Sequence, residues 1–217
     1  MKTTNKLLTL IIIFSSLFSL QSQNKFSKRK IENLKEEVSQ LVEDDKKMTQ
    51  VMIDKVFSFG ELGFQEFETS KYLGKILEEN GFDVEYQISD IPTSWLATWS
   101  NGEGGPTIAL GSDFDGVPST SQYPGVAYEK PVVEGAPGHG EGHNIGLPIV
   151  VTSALSLKKI MIENNIAGTL LIWPGVAEEI LGSKAWYVRD GYFDDVDICI
   201  FTHVSTNMST SWGRPTG

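Results

Sequence analysis

Three short apolar runs, 107–111, 168–173 and 197–203, are separated by stretches with helical spacing, and each leads into acidic residues or a histidine. Runs of that length bounded by turn residues are strands. Strands alternating with helices make a sheet that must be covered on both faces. The pattern therefore predicts an α/β fold of three layers, with a largely parallel sheet from Thr107 onward. Ahead of it, Ile31, Leu34, Val38 and Leu41 recur three and four apart, which predicts a helix over 27–45. A second helical stretch over 48–80 breaks near Phe59-Gly60-Glu61-Leu62-Gly63 and stops at Gly81. Alternation over 82–88 and 94–99 predicts two more strands. Helices are expected over 144–161 and 183–190, and the Pro- and Gly-containing stretch 116–137 reads as a functional loop.

Charge narrows the function. The 217 residues carry a net charge of −10, and phosphate binding needs clustered Lys and Arg, so nucleic acid is excluded as a partner. Hydrophobic content of 40% with 21% charged residues is that of a folded domain. Lys2 and Lys6 precede an apolar stretch over 7–20, shorter than a spanning helix needs and diluted by Ser15, Ser16 and Ser19. This predicts a signal peptide over 1–22 and export to a periplasmic or extracellular space. The single cysteine, Cys199, has no internal disulfide partner, and its apolar neighbours predict a buried strand residue.

The chemistry concentrates at the ends of the predicted strands. All three histidines fall in two motifs: His139 and His143 in Gly138-His139-Gly140-Glu141-Gly142-His143-Asn144, and His203 at the end of Ile198-Cys199-Ile200-Phe201-Thr202-His203. Imidazole and carboxylate together suit Zn²⁺, Mn²⁺ or Co²⁺, and the glycines let Glu141 and His143 turn into one cleft. The same segment also reads as a plain Gly-rich turn with surface histidines. Glu178-Glu179 follows a strand and Pro174-Gly175. Adjacent carboxylates repel unless a cation or proton separates them, so one can ligate while the other accepts a proton; a solvated helix start is the alternative. Asp113 and Asp115, two apart, point the same way if extended, and one can orient a ligating histidine; strand-end aspartates are also common turn formers. His203 alone reads as a core histidine. Because strand ends are where ligands bind in open α/β sheets, these residues are expected to converge.

Taken together, the motifs resemble the amidohydrolase branch of the M20 metallopeptidase family. The likeness runs through Glu61-Leu62-Gly63-Phe64, Gly111-Ser112-Asp113-Phe114-Asp115-Gly116-Val117-Pro118 and residues 135–144. It continues with Val176-Ala177-Glu178-Glu179, Val188-Arg189-Asp190-Gly191 and Phe201-Thr202-His203. The resemblance implies a zinc-exopeptidase-like α/β/α catalytic domain over 23–217, incomplete at its C-terminus, with the dimerisation domain and a distal histidine ligand absent. It implies two divalent metal ions, Zn or Mn and also Co, held by Glu141, His143, Glu179 and His203. Glu178 is then the general base, Asp115 the acidic residue close to the metals, and Asp113 and His139 stand just behind the ligands. Glu141 occupies a position where many members carry cysteine. The implied substrate is a small-molecule amide, an N-acyl amino acid or small peptide of the p-aminobenzoyl-glutamate kind. The implied full-length assembly is a homodimer or hetero-oligomer, and the 217-residue chain is expected to be an inactive or weakly metal-binding fragment of it.

Overall fold

A computed structural model describes residues 26–211. The predicted signal peptide lies outside the described residues. The chain falls into two units, 1–37 and 38–217. In the first, helix α1 (Lys28–Asp44, which runs on past the boundary) begins where Ser27 Oγ accepts the Lys30 N–H at 3.2 Å. α1 has no buried residue.

The second unit holds the sheet. Helix α2 (Lys46–Phe59) buries Met52 and Val56, one turn apart, and ends at Gly60 with φ 53°, a left-handed conformation that suits glycine. Helix α3 (Phe67–Glu79) buries Leu73 and Leu77. Its first turn is capped from outside, since the Glu61 carboxylate accepts the N–H groups of Glu68 and Thr69, each at 2.9 Å, and the Thr69 hydroxyl at 2.8 Å. Strands β1 (Asp83–Tyr86), β2 (Trp95–Asn101) and β3 (Thr107–Asp113) follow, then helix α4 (His143–Glu163), β4 (Gly168–Gly175), helix α5 (Lys184–Arg189) and β5 (Ile198–Phe201). α4 is long and apolar enough to cross a membrane, but it is a core helix with Leu147, Val151 and Ala154 fully buried.

The five strands lie in the order β1-β2-β4-β3-β5. Helices cover both faces. α4 packs on β3 and β4, and α3 on β1 and β2. The rings of Tyr187, in α5, and of Phe193, just beyond it, meet Trp173 of β4 edge-on, at 6.4 and 5.1 Å. The three-layer reading holds, and so does parallel pairing among the strands from Thr107 onward, but the sheet as a whole is mixed. β3 pairs in parallel with β4 and β5, whereas β1 pairs antiparallel with β2, and β2 antiparallel with β4. The physical reason is the connection: β1 returns to β2 through the short segment 87–94, which carries one turn of 3-10 helix, and the helical crossover that enforces parallel pairing begins only at β3.

Two expectations fail at β5. The strand ends at Phe201, so His203 lies beyond it in a loop. Cys199 is exposed, not buried. β5 is an edge strand joined only to β3; Phe201 meets the ring of Trp173 at 5.4 Å, while Ile200 is 51% exposed.

Candidate metal centre

Register places the site. Asp113, the last residue of β3, is opposite Gly175, the last of β4, and Gly111 is opposite Phe201, the last of β5. The chain beyond all three strands therefore emerges at one edge, bringing Asp115, Glu178, Glu179 and His203 together. The loop after β3 is tied down where Val117 and Gly138 exchange backbone hydrogen bonds of 2.8 and 3.1 Å. It then delivers Gly142, with φ 81°, as the residue before α4, so His143 starts the helix and is only 3% exposed.

His143 is the hub. Its Nδ1 lies 3.1 Å from the Asp115 carbonyl oxygen, 3.3 Å from Asp115 Oδ1 and 3.8 Å from Glu179 Oε1. Its Nε2 faces His203 Nε2 at 3.2 Å, with Glu141 Oε2 at 4.0 Å from the first ring and 3.8 Å from the second. Asp115 Oδ2 accepts the backbone N–H of Glu179 at 3.0 Å. Asp113, His143 and His203 form one cluster whose ligand atoms all lie within 4.8 Å of one another. Glu141, His143, Glu178 and Glu179 form a second.

The donor set suits a cation. Asp115 Oδ1 and Glu179 Oε1 are buried and accept no hydrogen bond, which protein interiors rarely tolerate without an ion or a proton. Burial raises the Glu179 carboxyl above its usual range, and the Glu141 charge raises it further. Burial alone would lower the His143 imidazole, yet its close approach to Asp115 and the nearby charges of Asp113 and Asp115 carry it upward. A divalent ion with mixed imidazole and carboxylate ligands relieves both strains.

Each anticipated residue has a place. Glu178 and Glu179 sit half-buried on a single turn of 3-10 helix, Glu178–Ile180. Asp113 is 1% exposed, and burial raises its carboxyl although Lys184 opposes the rise. Its partner is the Lys184 ammonium at 2.8 Å, while the Nδ1 side of His143 faces Asp115. His139 belongs to neither cluster; its Nε2 meets the Val56 carbonyl oxygen at 3.1 Å, under the ring of Phe57, and burial lowers its pKa. Two residues at this edge escaped sequence reasoning, Lys184 and Glu66. Glu66 is fully buried, and its carboxylate reaches the turn that carries the glutamate pair. Nothing in the local sequence sets Glu66 apart from Glu61 and Glu68, both within a few residues of it.

No family model matches the chain. Over 166 residues it is 31% identical to a component of the p-aminobenzoyl-glutamate hydrolase of Escherichia coli (strain K12), a match that covers 76% of this chain and 34% of that protein. Over 139 residues it is 31% identical to hippurate hydrolase of Campylobacter jejuni, covering 63% and 33%. The fold matches a solved dinuclear metal-binding peptidase of the M20 family from Bacillus subtilis, with a TM-score of 0.57 and 24% identity, over 74% of this chain and 44% of that one. The chain is a homologue of the M20 amidohydrolases. It spans about a third of the length of the curated relatives it matches. With an M20 neighbour described as dinuclear, the clustered imidazoles and carboxylates are its candidate metal ligands.

Proposed function

We propose that the protein hydrolyses an amide bond of an N-acyl amino acid or small peptide, of the p-aminobenzoyl-glutamate kind, at a centre of two divalent cations. The carrying observation is the meeting of His143 and His203, nitrogen to nitrogen at 3.2 Å, beside buried carboxylate oxygens that lack hydrogen-bond partners. Glu141, His143, Glu179 and His203 are the proposed ligands. When bound, the cations supply Lewis-acid stabilisation of developing negative charge and an acidified water at neutral pH.

The chain's own groups do the rest. Asp115 faces Nδ1 of His143, which fixes the tautomer with its hydrogen on that side and turns the Nε2 lone pair toward His203. Glu178 is the proposed base. It takes a proton from the water that forms the new C–O bond, then gives a proton to the amine as the C–N bond breaks. Beside Glu141, a cavity of about 710 Å³ with Phe57, Pro124, Ile145 and Val204 in its walls offers room for an apolar substituent of the substrate. Export follows from Lys2, Lys6 and the apolar run over 7–20, and N-terminal sequencing of the mature protein should then start near Gln23. An intact Met1 in the cytoplasm would contradict export.

Two substitutions test the catalytic reading. In the full-length protein, Glu178→Gln should retain bound metal and lose roughly 10² to 10⁴ in turnover of hippurate or p-aminobenzoyl-glutamate. Glu179→Gln should lower the metal content measured by atomic emission. Equal metal loss in both variants would remove the separation of roles. A wild-type protein that binds no divalent ion would remove the reading altogether.

A further inference from the structure

We infer that Glu66 is a positioning residue whose buried carboxylate holds the backbone N–H of Ala177 and thereby sets where Glu178 and Glu179 present their side chains. The inference rests on the metal-centre reading above. Glu66 is 0% exposed and lies just before α3, far in sequence from the turn it serves. One oxygen accepts the Thr93 hydroxyl at 2.8 Å, and the other accepts the Ala177 N–H at 2.9 Å. Burial keeps the carboxyl above its usual range, and the two hydrogen bonds oppose that rise.

Ala177 is the hinge of the acidic turn. It holds a left-handed conformation, φ 55° and ψ 41°, unusual for a residue with a side chain. Its carbonyl oxygen accepts the N–H groups of Ile180 at 3.3 Å and Gly182 at 2.8 Å, closing the turn around it. Its own N–H points the other way, and Glu66 is what receives it. Two residues on, the Glu179 N–H is received by Asp115. The glutamate pair is thus slung between two buried carboxylates from other segments. Gly63 adds contact from the Glu66 side, since a Cβ there would sit 3.0 Å from the Ala177 Cα. A ligand or base displaced by about 1 Å can lose on the order of 10² in effectiveness, so a group that fixes this backbone acts on the chemistry without touching it.

Three variants of the full chain test the inference: Glu66→Gln, Glu66→Asp and Glu66→Ala. Glutamine still offers an oxygen to the Ala177 N–H, aspartate falls one methylene short, and alanine offers nothing. Each is titrated with Mn²⁺ by calorimetry and followed by amide exchange over 176–181, well below its melting temperature. Glu66→Gln should stay within about threefold of wild type, while Glu66→Asp and Glu66→Ala should bind Mn²⁺ about tenfold or more weakly and exchange faster at Ala177. Wild-type affinity and exchange in Glu66→Ala would overturn the inference. So would a Glu66→Gln variant as impaired as Glu66→Ala, or protection lost evenly across the sheet, which marks a purely global effect. If the unaltered chain binds no Mn²⁺, the metal reading fails on its own, and exchange at Ala177 still decides the role of Glu66.

Discussion

The Lys184 ammonium stands 2.8 Å from Asp113 Oδ1 and 3.1 Å from Oδ2, and 4.6 Å above the ring of Phe201. One side chain from α5 thus ties together the ends of β3 and β5. The pair is unequal: Asp113 is buried, while the Lys184 side chain is 37% exposed. Removing one partner of a fully buried pair costs about 3–5 kcal/mol. Solvent screening at the exposed end brings the expected loss for Lys184→Met to about 1–3 kcal/mol. Urea denaturation measures it. The Asp113→Asn, Lys184→Met double variant should lose less than the sum of the two single changes, because the stranded charge is gone. Full additivity would show that the pair is not coupled.

Gly146 lets α4 lie directly on β3. A Cβ there would come within 2.9 Å of the Ser112 Cβ and closer still to its hydroxyl, which donates to the Thr202 carbonyl oxygen at 2.7 Å. Alanine gains about 1 kcal/mol of helix propensity, but overpacking at so close a contact costs about 1–3 kcal/mol. The steric effect should win, so Gly146→Ala lowers the melting temperature and weakens Mn²⁺ binding through the disturbed approach to His203. A melting temperature at or above wild type would mean that the helix shifts freely.

Glu66 gives a pH dependence with a defined sign. Burial raises its carboxyl in the fold above the ordinary value of 4.5. The folded state therefore holds the proton more tightly, and the stabilisation from this group is full below that value and lost as pH rises through the folded pKa. Glu66→Gln, which cannot ionise, should not show this loss. Melting curves of the two proteins from acid to neutral pH should accordingly move apart in favour of the variant as pH increases. Parallel curves across that range would deny the raised pKa.

Metal should stabilise the fold by linkage. A site that exists only in the folded chain gains about 2.7 kcal/mol when free ion is a hundredfold above its dissociation constant. Thermal melts with and without Mn²⁺ or Zn²⁺ should show the increase in wild type. Glu179→Gln should show a smaller increase, while Glu178→Gln should match wild type. A chain insensitive to both ions would contradict the proposed ligands.

Much of this was legible in the sequence, in proportion to how local the cause is. The runs that become β3 and β4 and the helix that begins at His143 announce themselves through periodicity, and strand-end logic brings Asp115, Glu178, Glu179 and His203 to one edge. The direction of β2 was not legible, because an alternating strand reads the same whichever way its partner runs. Nor was the exposure of Cys199, since apolar neighbours look alike on edge and central strands. His139 and His143 share a motif, yet the turn between them sends one ring to Val56 and the other to Asp115. Glu66 and Lys184 act through contacts made only after folding, on partners far away in the chain.

The short pairing of β5 with β3 gives the centre a vulnerability that none of its ligands carries. Four residues of β3, from Ile108 to Gly111, pair with that strand, and Thr107 and Ser112 add hydrogen bonds to Asp197 and Thr202 at its two ends. Sliding it by one residue shifts His203 by about 3.3 Å and inverts which face each strand side chain presents. A change that merely loosens this alignment could silence the protein with every ligand intact. Loss-of-function variants are thus to be sought along the outermost strand as well as among the histidines and glutamates.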